Sequence, residues 1–600
     1  MTRRARLAAV ASAASCLLLA CVFALSAQDI APPGSEKLYS RPGHLWFEDA
    51  SGSARVSPDG KWALVGRPRD FDFVSLAARK PDPARLQLGM QSVDLAVFCG
   101  NDLLREGKRG NEQGWFIPIE DKGLMLVTFK PGAVPLCSAD AKVSAYFRAG
   151  VADAGLLLGN WKERKRVAIP GVITGAVFSP DAQYVYVLSS QPNGGTALSR
   201  VEVATNRVLS LARDLDAAHA FSPLGISADG ARLYLSLAGL KLPDPAERQK
   251  PAASRFLDIY ELDLASKRSR KLLASDIDKT APTEVAGYLY WAQAVVHESI
   301  VVLPASGGAP REVVRDAFLP TWRRDGRQIG FVFGGWRQAD WALNLDAGAI
   351  PVDEEARPAG ERSVIISGNH EDFPPEWSPD GKWIAFHSHR APAPVAFYDA
   401  PGSSDDIWLR SAADPAAPET RLTDFGWEVG SPSWSPDGRK LLFSSWDRKG
   451  APGVYFLWVT TIDPETGKAV SSEKLPLPPE VKSPEWAVWS PSGEEIAIED
   501  ESGPGERTLW VLSASKLDRI ISYKCETYGG LDWMPDGKTL LYGALDNGRM
   551  QIFSIARSGG APARLTSDPA GLMHPRVSPD GRWIAATRHD AQTELWRKKL

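Results

Sequence analysis

Short apolar runs recur along the whole chain, and each follows a turn-like segment that usually contains Asp and Gly. Trp383-Ile384-Ala385-Phe386 is a typical run, and the segment before it is Ser-Pro-Asp-Gly. These residues favour a tight turn, because Pro fixes φ, Asp bonds to nearby backbone and Gly accepts a positive φ. A short apolar run bounded by turn residues is typical of a buried strand. The pattern therefore predicts strand, turn and strand, repeated many times.

The turn is repeated often enough to predict the architecture. Clear copies begin at residues 57, 179, 227, 323, 378, 435, 490, 534 and 578, and degenerate copies stand near 100, 138 and 286. Each unit has room for four short antiparallel strands, which is typical of a β-propeller blade. We therefore predict an all-β fold of tandem β-propellers with about twelve four-stranded blades. Because one ring of twelve would exceed the usual four to eight blades, two six-bladed rings are favoured.

The predicted domains are a signal peptide (1–27), a degenerate N-terminal propeller (28–315) and a more regular C-terminal propeller (316–600). Residues 594–600 supply a third strand to the last blade but leave nothing for a fourth, and an open edge would invite aggregation. We expect Arg311 to Arg315 to close the second ring and His44 to Glu48 to close the first. Pairing of Trp596 with residues near 44 would instead favour one larger ring.

The N-terminal residues predict export. Arg3, Arg4 and Arg6 precede an apolar stretch of small residues that ends at Ala27, as in a secretory signal peptide. Cleavage near Ala27 predicts a periplasmic or secreted protein, whereas Leu18-Leu19-Ala20-Cys21 resembles a lipobox and would make Cys21 the lipid anchor of an outer-membrane lipoprotein. No later apolar run is long enough to span a membrane.

Composition narrows the partners. The net charge is −4 and 24% of residues are charged, so the chain has no basic excess for nucleic acid. Cys99, Cys137 and Cys525 show no metal-type spacing. Burial as small apolar residues is the favoured interpretation, although an exported protein permits a Cys99–Cys137 disulfide.

The stretch Trp-Ser-Pro-Asp-Gly-Lys-Trp-Ile-Ala-Phe at 377–386, with Arg-Leu-Thr at 421–423 and 564–566, resembles the WD40-like (PD40) repeats of TolB-type propellers. Similar repeats occur in prolyl-oligopeptidase-like serine peptidases and in oligogalacturonate lyases, so the resemblance implies a fold more than an activity. The first turn leaves no room for the N-terminal domain of TolB. The chain also lacks a Gly-x-Ser-x-Gly motif, which argues against a serine hydrolase.

Propeller topology predicts where a ligand would bind. Loops from the fourth strand of a blade to the next blade, and from the second strand to the third, emerge at one end of the ring, which we call the loop mouth. The Ser-Pro-Asp-Gly turns lie at the other end, the turn face. The predicted ligand-binding residues at the loop mouth of the second ring are His370, Glu371, Asp372, His387, His389, Arg390, Trp427, Glu428, Trp446, Asp447, Tyr528, His574 and His589. Glu499-Asp500-Glu501 belongs to the same loop class.

Two functions fit this set of residues. A non-catalytic binding or scaffold protein would hold a peptide, a protein or a glycan of the cell envelope among the Trp and charged side chains, and would need no cofactor. The alternative is a metal-assisted enzyme acting on polysaccharide, similar to oligogalacturonate lyases, with His370, His387, His389 and His574 as ligands of a divalent metal. Strand-end histidines often only bond loop carbonyls. Whether the protein is an enzyme is therefore left open, with the binding protein favoured.

Overall fold

The strands of this computed structural model are numbered in chain order. The structure describes residues 34–43, 54–67, 70–87, 90, 92–99, 101–109, 112–119, 123–127, 133–138, 140–148, 155–190, 196–215, 224–237, 258–273, 279–335, 344–367, 371–389, 405–414, 416–424, 429–430, 432–446, 454–503, 506–525, 527–546 and 549–600.

The Ser-Pro-Asp-Gly turns share one geometry, which their own side chains maintain. Ser378 Oγ donates to Asp380 Oδ1 at 2.6 Å, and the same oxygen accepts the backbone N–H of Lys382 at 3.1 Å. Gly381 closes the turn with φ +72°. The equivalent Ser-to-Asp bond begins at Ser57, Ser138, Ser179, Ser227, Ser435 and Ser578. The degenerate copy at residue 138 is therefore a true turn of the repeat.

Five complete blades form most of the first ring, after the N-terminal strand β1 (Ser35–Gly43). Their strands are β2 (Ala54–Val56), β3 (Trp62–Arg67), β4 (Asp70–Ser75) and β5 (Lys80–Pro81); β6 (Ser92–Cys99), β7 (Asp102–Arg109), β8 (Glu112–Ile119) and β9 (Gly123–Val127); β10 (Ala133–Cys137), β11 (Ser144–Arg148), β12 (Leu156–Gly159) and β13 (Arg164–Val167); β14 (Val172–Phe178), β15 (Tyr184–Ser190), β16 (Thr196–Glu202) and β17 (Val208–Leu215); β18 (Gly225–Ile226), β19 (Arg232–Leu237), β20 (Asp258–Asp263) and β21 (Ser269–Leu273). A short helix, α1 (Pro83–Gln87), precedes β6.

Three strands link the rings: β22 (Lys279–Val285), β23 (Tyr288–Pro304) and β24 (Arg311–Arg315). The second ring then has five blades of its own. Their strands are β25 (Ala317–Trp322), β26 (Gln328–Gly335), β27 (Asn344–Pro351) and β28 (Ser363–Ile366); β30 (Glu376–Trp377), β31 (Trp383–His389), β32 (Asp405–Ser411) and β33 (Thr420–Arg421); β34 (Ser433–Trp434), β35 (Lys440–Trp446), β36 (Tyr455–Ile462) and β37 (Ala469–Lys474); β38 (Pro484–Trp489), β39 (Glu495–Gly503), β40 (Glu506–Ser513) and β41 (Arg519–Cys525); β42 (Thr527–Trp533), β43 (Thr539–Asp546), β44 (Arg549–Ala556) and β45 (Ala563–Arg564). β29 (Glu371–Asp372) bridges the first two of these blades, and the chain finishes with β46 (Leu572–Val577) and β47 (Trp583–Lys599).

The innermost strands contact one another in two closed cycles. In the first ring the order is β2, β6, β10, β14, β18, β22 and back to β2. In the second it is β25, β30, β34, β38, β42, β46 and back to β25. Apolar clusters fill the space between neighbouring blades, as where Leu442 of one blade packs with Ile496 of the next. The predicted all-β architecture of twelve four-stranded blades in two six-bladed rings is confirmed.

The sixth blade of each ring is made from strands that both rings share. β23 and β47 pair antiparallel over their full length, from Tyr288 opposite Lys599 to Pro304 opposite Trp583. We call this pair the ribbon. One half joins β22 and β1 to complete the first ring, and the other half joins β46 and β24 to complete the second. The loop-mouth ends of the two closing blades therefore meet at the middle of the ribbon.

Strand sharing confirms one closure prediction and corrects another. Residues 311–315 do form the outer strand of the second ring's last blade. The assignment of residues 594–600 to that blade is wrong, because Trp596 pairs with Trp291 and Lys37 in the first ring. Pairing so close to residue 44 nevertheless leaves two rings, since one long strand serves both. A boundary at residue 315 separates the two sets of blades along the chain, but the strands β23 and β47 belong to both rings.

The outer position in the first ring's closing blade belongs to β1. Its residues, Ser35 to Gly43, pair with the last strand of the chain. The predicted closing strand at 44–48 lies outside the described residues, as do the predicted signal peptide and Cys21. In the part of the chain that the structure describes, no helix has the length and hydropathy needed to cross a bilayer.

A disulfide joins Cys99 to Cys137, whose Cα atoms are 5.1 Å apart. Both residues end innermost strands, β6 and β10, in neighbouring blades of the first ring. The interpretation of these two cysteines as buried free thiols is therefore wrong. The side chain of Cys525 lies outside the described residues.

The turn geometry predicts opposite effects for two matched substitutions. Ala182 occupies the glycine position of its turn with φ +57°, a conformation that costs an L-residue about 1–2 kcal/mol. Ala182→Gly should raise the free energy of unfolding by about 0.5–1 kcal/mol after the greater freedom of glycine in the unfolded chain is subtracted. Gly381→Ala should lower it, although no atom lies within 4 Å of the added Cβ. Chemical denaturation measures both, and shifts of the same sign would contradict the repeat geometry.

Candidate functional site

Only part of the predicted site lies within the described residues. His370, Arg390, Trp427, Glu428 and Asp447 lie outside them. Four others have a described backbone but no described side chain: Glu371 in β29, His389 in β31, Trp446 in β35 and Tyr528 in β42. Asp372, His387, His574 and His589 are described fully. The arrangement of these four determines what the geometry supports.

Asp372 and His387 form a packed corner at the loop mouth of the second blade. Asp372 is fully buried and accepts a hydrogen bond from Ser388 Oγ at 2.5 Å. The His387 ring stacks on Phe373, with ring centroids 3.7 Å apart. Phe373 is half-buried and packs against an apolar cluster that includes Leu319 of the first blade. This corner presents an aromatic surface over a buried carboxylate.

His574 lies in the channel wall of the last blade. Its Nδ1 is 3.2 Å from Thr587 Oγ1, and its ring stacks on Trp486 at 5.9 Å between centroids. Burial, with a smaller contribution from the nearby His589, lowers the pKa of His574 to about 3. The imidazole is therefore neutral at physiological pH, so it can bond and stack but carries no charge.

His589 lies where the ribbon passes from one ring to the other. Its Nδ1 is 3.0 Å from Glu298 Oε1 on the opposite strand, and 4% of the residue is exposed. The predicted convergence of histidines thus brings His574 and His589 together, whereas His387 packs on its own blade. His589 therefore packs where the two rings join and does not belong to an open surface.

Trp486 closes the axial channel at the loop mouth. It comes from the fourth blade, yet it packs against Phe318 and Leu319 of the first blade as well as on His574 of the sixth. The space left beside it has a volume of about 10 Å³, less than one water molecule requires for comfortable occupancy. Trp486 and Phe373, both partly exposed, therefore form an aromatic floor in the part of the loop mouth that the structure describes.

A buried ion cluster lies beside this floor, and the sequence indicated only part of it. Arg507 is 3% exposed, and its guanidinium lies 2.6 Å from Glu485, 3.6 Å from Glu499 and 3.8 Å from Glu501. Burial raises the pKa of Glu485 to about 7, although Arg507 acts in the opposite direction. Glu499 and Glu501 stood in a predicted mouth loop, but β39 includes both of them.

The open part of the channel lies at the turn face, where no site was predicted. Its volume is about 290 Å³. Five indole rings line it, each from the residue immediately before a turn: Trp322, Trp377, Trp434, Trp489 and Trp533. Four charged side chains join them: Arg324, Glu376, Asp532 and Arg576. Each of these Trp residues belongs to the repeat itself, and the charged residues beside them were the available signal for a cavity.

An ion pair divides the channel. Arg576 and Glu376 are in direct contact, and both side chains are largely buried. They line the turn-face cavity on one side and the narrow space below Trp486 on the other. Burial lowers the pKa of Arg576 to about 10, so it remains a cation at neutral pH. Nothing can pass along the axis while this pair and Trp486 are in place.

No group of three or more His, Cys, Asp or Glu side chains with metal-binding geometry occurs among the residues that the structure describes. The predicted metal ligands His370, His387, His389 and His574 are only partly covered by that statement, because two of their side chains are not described. The metal site stays a prediction.

Residues 431–599 match the family model described as the TolB beta propeller domain. The chain contains a TolB-type propeller. Over 225 residues, 37% of this chain, it is 29% identical to an uncharacterized peptidase, YuxL, of Bacillus subtilis (strain 168) and covers 30% of that protein. It is 28% identical over 206 residues to an uncharacterized protein, Atu1656, of Agrobacterium fabrum (strain C58), covering 33% of this chain and 64% of the relative.

The chain thus spans less than two thirds of the length of either relative. Among solved structures, TolB from Acinetobacter baumannii aligns with a TM-score of 0.33 at 14% identity, over 64% of this chain and 78% of the other. The fold assignment rests on the blades described above.

The ion cluster around Arg507 predicts that the stability of the protein depends on pH. A raised pKa means that Glu485 stabilises the fold fully below its ordinary value of 4.5, and that this contribution is lost as the pH rises through 7. The free energy of unfolding of the native chain, minus that of Glu485→Gln, should fall by about 2–3 kcal/mol between pH 5 and pH 8. Glu494→Gln, at an exposed carboxylate, serves as the control. A difference that stays constant with pH would contradict the raised pKa of Glu485.

Proposed function

We propose that the protein is an exported binding or scaffold protein that holds a peptide or protein at the loop mouth of the second ring. The observation that carries this proposal is the aromatic floor of that mouth. Trp486 and Phe373 are only partly buried, and each is held in place by stacking on an imidazole ring. Fixed, partly exposed aromatic side chains in a depression are the usual anchors of protein recognition.

The electrostatics of the floor support binding rather than chemistry. His574 is neutral, the Asp372 carboxylate accepts a bond from Ser388, and the Glu485 carboxylate contacts Arg507. A general acid or base needs a group that reaches the reacting atom, and these groups are held by neighbouring side chains. The metal-assisted polysaccharide enzyme draws no support from a contact among the described residues, and glycan binding remains a further candidate for the same aromatic floor.

Export is proposed on two grounds. The N-terminal residues have the pattern of a secretory signal. The Cys99–Cys137 disulfide fits an oxidising compartment such as the periplasm, since cytosolic thiols are kept reduced. A lipid anchor at Cys21 is the alternative to release after Ala27.

Site-specific photo-crosslinking in the native cells tests the proposal. A benzophenone amino acid at Phe373 reports on the mouth floor, and the same group at Val470, 68% exposed on the outer strand β37, is the matched control. We expect one discrete protein or peptide adduct at Phe373, at least about tenfold stronger than at Val470 and weakened by Trp486→Leu. Equal labelling at the two positions, or none at Phe373, would contradict a binding mouth.

A further inference from the structure

The turn-face cavity of the second ring is a chamber with a single entrance. Its rim consists of turn residues, including Pro436, Pro491, Pro535 and Pro579. Its inner end is closed by the Arg576–Glu376 ion pair, with Trp486 beyond. A molecule entering at the turn face therefore meets a dead end. That shape suits a small molecule or the end of a chain, and excludes a strand threaded along the axis.

Two indoles of the aromatic wall are held in position by bonds between blades. Trp322 Nε1 donates to the carbonyl of Arg576 at 3.0 Å, and Trp434 Nε1 donates to the carbonyl of Glu376 at 3.0 Å. Each bond joins an indole to the innermost strand of the neighbouring blade. Because these N–H groups already have acceptors, the indoles of Trp322 and Trp434 offer only carbon surface to the chamber. A rigid aromatic surface lowers the entropy cost of binding another ring against it.

The charges in the chamber can be accounted for individually. Glu376 is paired with Arg576. Asp532 accepts the backbone N–H groups of Trp533 at 2.9 Å and Val577 at 2.8 Å. Arg324 lies exposed at the entrance, near enough to Asp532 and Arg576 to interact with both by charge, and among the described residues it has no ion pair. The charge that remains for a ligand is therefore the guanidinium of Arg324.

We propose that this chamber is a second binding site, separate from the loop mouth, for a small organic carboxylate that carries a ring with an apolar face. The carboxylate would pair with Arg324 through two parallel N–H···O bonds, the geometry that a guanidinium favours. The ring would lie against the indoles. A free volume of about 290 Å³ accommodates a single aromatic or sugar ring with its carboxylate.

Asp532 adds a pH dependence to this binding. Burial raises the pKa of Asp532 to about 6, with Arg324 and its two backbone donors acting against burial. A carboxylate on Arg324 adds a negative charge near Asp532, which favours the protonated form further. The other charged groups that face the chamber are Arg576 and Glu376, which pair with each other. Binding should therefore take up a proton and tighten as the pH falls from 8 to 5.

Calorimetric titration of the full chain with matched probes tests the site. Indole-3-acetate and its uncharged amide differ only in charge, and glucuronate with glucose makes the same comparison on a sugar ring. We expect at least one acid to bind about tenfold or more tightly than its neutral partner, with the difference lost in Arg324→Gln. Arg327→Gln, at an exposed residue of the same turn that does not line the chamber, should leave the difference intact. Asp532→Asn should remove the pH dependence.

The competing outcomes are distinct. Preference for indole-3-acetate would identify the ligand as an aromatic acid, and preference for glucuronate as an acidic sugar. Equal binding of acid and neutral partner, an unchanged affinity in Arg324→Gln, or no heat from any probe at about 5 mM would overturn the proposal. Because the loop mouth lies beyond the closed channel, failure here leaves the photo-crosslinking result unaffected.

Discussion

The ribbon of β23 and β47 is the interaction on which both rings depend. A propeller whose last blade lacks a strand has an open edge, with unpaired backbone groups that are costly to bury and prone to aggregation. Here the closing blade of each ring takes two of its four strands from the ribbon. Register is set by polar contacts as well as by the ladder: Glu594 is 2% exposed and accepts bonds from Lys37, Gln293 and Trp596. The stacked Trp291 and Trp596 rings pack the same region.

Closure of the second ring also determines which side chains meet at each end of its channel. When six innermost strands form a cycle, the residue before each turn is brought to the axis, so five Trp side chains meet at one end of the channel. At the other end one side chain, Trp486, reaches across the ring and fills the axis. The two ends of one channel therefore differ in kind. The described part of the loop mouth is an aromatic floor, and the turn face is a chamber of about 290 Å³.

The repeat made the blades predictable, because each turn is held by bonds between residues no more than five positions apart. The blade count followed, including the degenerate turn at Ser138. Periodicity shows that β47 is a strand but does not show which strand it pairs with. The sequence therefore did not predict that residues 591–599 enter the first ring, or where His589 lies. The same holds for Trp486, since a side chain that crosses a ring leaves no local pattern. Arg324, Asp532 and Arg576 are visible in the sequence, but no local pattern indicates that they line one channel.

Hydrogen exchange on a chain shortened by residues 591–600 tests the shared ribbon most directly. We expect β22, the first half of β23 and β1 to lose protection, because the closing blade of the first ring is opened. Protection in β30 to β45 should persist, since the second ring keeps its half of the ribbon. Loss of protection in β42 to β45 with the first ring unchanged would contradict the exchange of strands and place the end of the chain in the second ring alone.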